Sequence, residues 1–182
     1  MMKAFFRTIC VFLLVLCESP LRAETITHVF NTDVASYDKV NNVPNKQATM
    51  NDGLVYTCGT SSAVFGAELI YGSRTIAINL PNSSSEVVVS PAIEGLTQVR
   101  ISHYPNAKCP DLKVYISTDG TSWGDPLSAD AMEYGPGTTF ADVPKGNYYL
   151  KIANSSSVQL SIIEIRYTTD PSSCACLQVV SQ

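Results

Sequence analysis

The side chains that could carry chemistry are few. The chain has two histidines, His28 and His103, and its glutamates Glu68, Glu94, Glu133 and Glu164 show no spacing that would set two carboxylates across a glycosidic bond, as a glycosidase requires. No G-x-S-x-G elbow stands near either histidine, so nucleophilic catalysis has no assembled base. A lyase needs a Lys, Arg, Tyr or His base with a cation to neutralise a uronate; Arg74, Arg100 and Lys108 are available, but nothing in the sequence places them together. The residues suit binding better. Aromatic rings near turns stack on the apolar faces of sugars while amides, imidazoles and cations hold hydroxyls. Trp123, Tyr104 and Tyr134 are the aromatic candidates, with Tyr71 beside them, and Arg74, His103, Asn106 and Lys108 are the polar partners. The competing reading of Trp123 is a core residue packed behind a hairpin.

The elements that must position these residues are strands. Residues 112–117 (L-K-V-Y-I-S) alternate, with Leu112, Val114 and Ile116 on one face and Lys113, Tyr115 and Ser117 on the other, the period of a half-buried strand. Asp119-Gly120 comes next, a pair that suits a tight reversal because glycine accepts positive φ. This predicts a hairpin at the centre of the fold with Trp123 folded back beside it. Further strands are expected at 26–30, 54–58, 63–70, 74–80, 86–90, 97–104, 138–143, 148–153 and 158–167, separated by Gly, Pro, Ser and Asn turns such as Pro144-Lys145-Gly146-Asn147. In 158–167 apolar residues fall on both faces, which calls for a doubly covered strand or a bulge. Either Tyr148 or Tyr149 must face the core. The expected class is all-β, a single antiparallel β-sandwich or jelly roll with little helix. Residues 31–53, rich in Asn, Asp and Lys, read as a long loop. Within it Asp33 and Asp38, with Asn41, Asn42 and Asp52, offer oxygen ligands to a structural calcium ion without an EF-hand spacing.

The chain divides into an export leader at 1–23, a β-sandwich domain at 24–170 and a cysteine-containing tail at 171–182. Lys3 and Arg7 precede the short apolar run 9–17, and Ala23 supplies a small residue at the expected cut. The run is shorter than the ~20 residues a membrane span needs. Cys17 offers a lipoprotein alternative, with Leu16 an unfavourable residue before it. The chain carries 12 basic and 16 acidic residues, net −4, and no basic stripe, which argues against nucleic acid as partner. Of the six cysteines, Cys58, Cys109, Cys174 and Cys176 lie beyond the leader. In an oxidising compartment they predict disulfides, the tail tied back through Cys58 or Cys109, with the pairing left open.

Three stretches, Ser90-Pro91-Ala92-Ile93, the S-T-D-G-T-S-W run at 117–123, and the closing N-Y-Y-L-K-I-A-N and Q-L-S-I-I-E-I-R-Y, resemble the galactose-binding-like β-jelly-roll domains appended to secreted bacterial polysaccharide-degrading enzymes, pectate lyases among them. The resemblance spans residues 54–167. It implies a non-catalytic module, commonly binding carbohydrate. Relatives of that kind carry an Asp where this chain has Ser161, a change that weakens the calcium expectation. The S-T-D-G-T-S-W run is also similar to the Asp-box turn of sialidase propellers, but one residue short, and one copy makes no propeller. The alternative partner is a protein, met through an open edge strand or a flat apolar patch.

Overall fold

The computed structural model describes residues 23–39, 44–60, 63–70, 73–104, 112–132, 137–155 and 157–170. The elements are β1 (Glu24–Val29), a single helical turn α1 (Phe30–Asp33), β2 (Val34–Tyr37), β3 (Gln47–Met50), β4 (Val55–Cys58), β5 (Val64–Ile70), β6 (Ser73–Leu80), β7 (Glu86–Tyr104), β8 (Leu112–Ser117), β9 (Ala129–Met132), β10 (Gly137–Asn154) and β11 (Leu160–Thr169). Every pairing is antiparallel. The fold is an antiparallel β-sandwich.

Two long strands, β7 with 19 residues and β10 with 18, run through both layers. The first half of β7 pairs with β4 and with the second half of β10, giving one layer in the order β2-β3-β4-β7-β10-β8. The second half of β7 pairs with the first half of β10 and with β11, which continues to β6 and β5 at one end and to β1 at the other. Strands that change layer do so at bends and bulges. The register of β10 on β7 shifts between Asp142 and Leu150. Opposite it lie a cis Ser90–Pro91 peptide and Gly95 at φ +63°. The corner is fastened by Gly95 N–H donating to Asn147 Oδ1 at 2.9 Å, Asp170 N–H donating to Gly95 O at 2.7 Å, and Lys145 Nζ on Asp170 Oδ2 at 2.8 Å. A Cβ at Gly95 would stand 2.4 Å from the Asp170 carbonyl oxygen, so both the positive φ and the close approach demand glycine there.

Between the layers one core gathers Phe30, Met50, Tyr56, Val87, Val89, Leu96, Ile101, Leu112, Val114, Leu150, Ile152, Leu160, Ile165 and Tyr167, all buried. The residues that alternate with these form the outer faces. In β11 the core-facing set passes from Leu160 and Ile162 to Ile165 and Tyr167 across a register shift at Ile162/Glu164, so a bulge accounts for the apolar residues on both faces.

Several expectations are corrected. The sequence 31–53 is not one loop: α1 reaches into it, β2 and β3 lie within it, and β3 turns Ala48 and Met50 inward. The first strand starts at Glu24 and leaves Phe30 to α1. The expected strands 86–90 and 97–104 are one, as are 138–143 and 148–153, because Pro91, Gly95 and 144–147 bend a strand rather than end it. The Leu112 hairpin is not central and has no second strand: among the described residues β8 pairs with β10 alone, and the chain after the turn runs back alongside it, Leu127 N–H donating to Val114 O at 2.8 Å. Residues 1–22 and 171–182, holding Cys17 and the tail cysteines Cys174 and Cys176, lie outside the described residues, as does Cys109. Cys58 is a free, fully buried thiol facing the core, so the staple expected of it is not made. Burial pushes its pKa up to about 12, which keeps it an unreactive thiol.

Candidate functional site

The alternation that turns Val114 and Ile152 inward turns Tyr115 and Lys151 outward, and the register sets those two side by side. The same row continues across the layer through Val88, Thr57 and Gln47. The neighbouring row holds Lys113, Ala153 and Glu86. Beyond Tyr115 the turn brings Trp123 back over this face. Lys151 Nζ stands 4.6 Å from the centroid of the Tyr115 ring and 5.0 Å from that of Trp123, within cation–π range of both. Tyr115 and Trp123 are half-buried, and Val88, Ser90, Thr57 and Ala153 leave a low floor between them and the far edge of the layer.

The turn is rigid enough to hold the indole. Asp119 Oδ1 accepts the N–H groups of Ser122 at 2.7 Å and Thr121 at 2.8 Å, and Ser117 Oγ accepts that of Gly120 at 2.9 Å while donating to Asp119 Oδ1. The Ser122 and Thr121 amides, with the Ser117 hydroxyl, hold the Asp119 carboxyl well below the usual carboxylate range. Gly120 takes φ +72° and lies on Tyr149, whose ring would be 3.2 Å from a Cβ at that position. Tyr149 therefore faces out, beneath the turn, while Tyr148 packs against the core.

A second polar constellation lies between the layers. His28 Nε2 is hydrogen-bonded to Asp52 Oδ2 at 2.7 Å, His28 Nδ1 to the Tyr56 hydroxyl at 2.5 Å, and the Tyr56 and Tyr167 hydroxyls to each other at 2.5 Å. Each member thus has a partner inside the chain of bonds. Both phenols have pKa values raised by burial, Tyr56 also by the adjacent Tyr167. The chain of bonds surfaces at Asp52, 39% exposed, in an open cleft of about 280 Å³ lined by Ile26, Thr27, His28, Asp33, Asn51 and Asp52. The carboxylates there are engaged inward: Asp52 Oδ1 accepts Leu54 N–H at 3.1 Å, and Asp33 accepts Val29 N–H at 2.6 Å and the Thr32 hydroxyl at 3.0 Å.

The residues singled out from sequence are not brought together. Trp123 belongs to the outer face of the first layer, whereas Tyr104, 37% exposed, ends β7 in the second layer opposite Ser161. His103 is corrected: it is fully buried, because β7 is a central strand there, flanked by β10 and β11, and it cannot touch a polysaccharide. Arg74 pairs with Leu69 at the β5–β6 edge, and its side chain lies outside the described residues, as do Asn106 and Tyr134. Of the calcium candidates, Asp33 is engaged by Val29 and Thr32, and Asp38 accepts Gln47 N–H at 2.8 Å across the β2–β3 connection. Among the described residues no three His, Cys, Asp or Glu side chains gather closely enough to hold a metal, and no helix is long and apolar enough to cross a membrane. Sequence reasoning missed Lys151 and the outward role of Tyr115. The strand alternation in 112–117 and 148–153 carried that signal, though not which residues stand side by side.

No family model and no curated protein matches the chain. Solved structures similar to it include a protein from work on the Ruminococcus flavefaciens cellulosome and its expansion in glycan recognition, 10% identical, covering 82% of this chain and 97% of that one at a TM-score of 0.40. A low-affinity xylan-binding module, CBM86, from the gut symbiont Roseburia intestinalis is 10% identical and covers 83% and 98%, with a TM-score of 0.35. The C-terminal CBM6 of the laminarinase LamC from Zobellia galactanivorans is 13% identical and covers 80% and 100%, with a TM-score of 0.30. These are loose likenesses in the path of the chain.

Proposed function

We propose that the chain is an exported, non-catalytic glycan-binding module whose site is the outer face of the layer formed by β2, β3, β4, β8 and the adjoining halves of β7 and β10. The observation that carries this is the placement of Tyr115 and Trp123 about the Lys151 ammonium at one end of an open row of small and polar side chains. Half-buried rings offer apolar faces to the C–H surfaces of a pyranose, and Lys151, Thr57 and Gln47 offer hydrogen-bond donors and acceptors along the strand-crossing direction. Export through residues 1–23 is part of the same reading.

Affinity electrophoresis against soluble polysaccharides tests it. The purified chain should be retarded by at least one glycan, Trp123→Ala and Tyr115→Ala should each weaken retardation tenfold or more, and Tyr104→Ala, in the other layer, should leave it unchanged. Retention that survives both outer-face substitutions, or that Tyr104→Ala abolishes, would overturn the assignment.

A further inference from the structure

If the outer face is the glycan site proposed for it, the state of the Lys151 ammonium bears on which glycan is bound. The Lys151 side chain is only 17% exposed, so most of its hydration is stripped. Its nearest carboxylate oxygen, Glu86 Oε2, is 3.8 Å away, outside hydrogen-bonding distance. Glu86 is laid instead across Gly59, with Oε1 2.7 Å from where a Cβ of that residue would stand. Among the described residues no acceptor lies within hydrogen-bonding reach of Nζ, whose neighbours are the two ring faces and, at ion-pair distance, Glu86. An ammonium has three donors and no acceptor capacity. Ring faces offset part of its desolvation but accept its hydrogens poorly.

The ammonium itself favours one sign of ligand. The row through Tyr115, Lys151, Val88, Thr57 and Gln47 contains no carboxylate, and the next row holds Lys113 and Glu86 on either side of the small Ala153. Nζ is thus a partly desolvated donor between two aromatic rings, with hydrogens left to offer a ligand. Charge-assisted hydrogen bonds from a partly desolvated donor to an anionic oxygen are roughly twice as strong as those to a neutral hydroxyl. We infer that the bound glycan is acidic, and that a carboxylate or sulfate oxygen of one sugar sits on Lys151 Nζ while its ring lies against Tyr115 or Trp123.

Paired polymers test this: polygalacturonate against its methyl ester, alginate against its propylene glycol ester, and dextran sulfate against dextran. At least one anionic member should bind tenfold or more tighter than its neutral partner, and the preference should shrink as salt rises. Lys151→Met, which keeps the length over the rings, should remove the preference, and Lys151→Arg should keep it. A carboxylate ligand should lose its advantage near pH 3, whereas a sulfate ester should not. Equal binding of a neutral partner, or an undiminished preference in a folded Lys151→Met, overturns the acidic assignment and leaves the glycan module standing. Binding to none of the six, nor to neutral polysaccharides, overturns both. If Lys151→Met does not fold, the salt dependence and the ester pairs on the unaltered chain still decide.

Discussion

The outer-face cluster of Tyr115, Trp123 and Lys151 and the interlayer chain of Asp52, His28, Tyr56 and Tyr167 use similar side chains for opposite ends. In the interlayer chain every polar atom has its partner inside the protein, and the aromatic rings stack on one another: His28 meets Tyr56 edge-on at 5.5 Å, and Phe30 meets Tyr56 at 5.2 Å. Such a closed network fixes how two layers sit, because opening it strands buried donors and acceptors. On the outer face the rings are half-buried and the cation between them has no hydrogen-bond acceptor among the described residues. Self-satisfied polar groups mark architecture, and unsatisfied ones on an open face mark where something else docks.

Breaking each region should therefore damage a different property. The largest expected effect is on stability. His28→Ala strands the Tyr56 hydroxyl in the core and takes the imidazole from Asp52, and should cost about 2–4 kcal/mol in chemical denaturation. The protein that remains folded should keep its glycan affinity. Next, Trp123→Ala should weaken glycan binding by tenfold or more, ~1.4 kcal/mol or above, while shifting the unfolding free energy by less than about 1 kcal/mol, as suits a half-exposed side chain. Gly120→Ala lies between the two: its positive φ and the Tyr149 ring beneath it predict a loss of about 1–2 kcal/mol together with weaker binding, since the turn that carries Trp123 must shift.

Alkaline titration sharpens the contrast at smaller amplitude. Burial raises the pKa of Tyr56 and Tyr167 above the value of about 10 they have in the unfolded chain. Below pH 10 both states keep these protons and stability is unaffected. Above it the unfolded chain releases them and the native state does not, so stability falls as pH rises. Phenolate absorbance should show at least two of the nine tyrosines ionising only as the fold is lost. Early titration of every tyrosine would mean that the interlayer chain is open to water.

The strands were legible wherever alternation was clean, and the all-β sandwich with it. What misled was punctuation. Proline and glycine at 91, 95, 144 and 146 carry the usual signals of strand ends, but in this sandwich they sit where β7 and β10 pass from one layer to the other, so the chain bends and its pairing resumes. The polar surface of 31–53 hid β2 and β3, because Gln47 and Thr49 face outward and only Ala48 and Met50 declare the core side. Trp123 was singled out from its place after the turn, and it lies half-buried on the outer face beside Lys151. The interlayer chain was not legible, since its partners are 24, 28 and 111 positions apart and no local pattern links them. His103 was misread for a related reason: a polar residue two positions before a proline suggests a strand end at the surface, whereas the covering strands β10 and β11 come from far along the chain.

Trp123 is the only tryptophan in the sequence, so tryptophan emission, excited where tyrosine does not absorb, reports on the outer face alone. Titrating the unaltered chain and Tyr115→Ala with the panel of acidic and neutral polysaccharides tests the glycan-site assignment most directly. The expected result is a saturable change in Trp123 emission with a bound glycan, lost or weakened tenfold or more in Tyr115→Ala. Glycan binding, measured independently by retardation, that leaves Trp123 emission untouched and Tyr115→Ala unimpaired would place the site elsewhere and contradict the assignment.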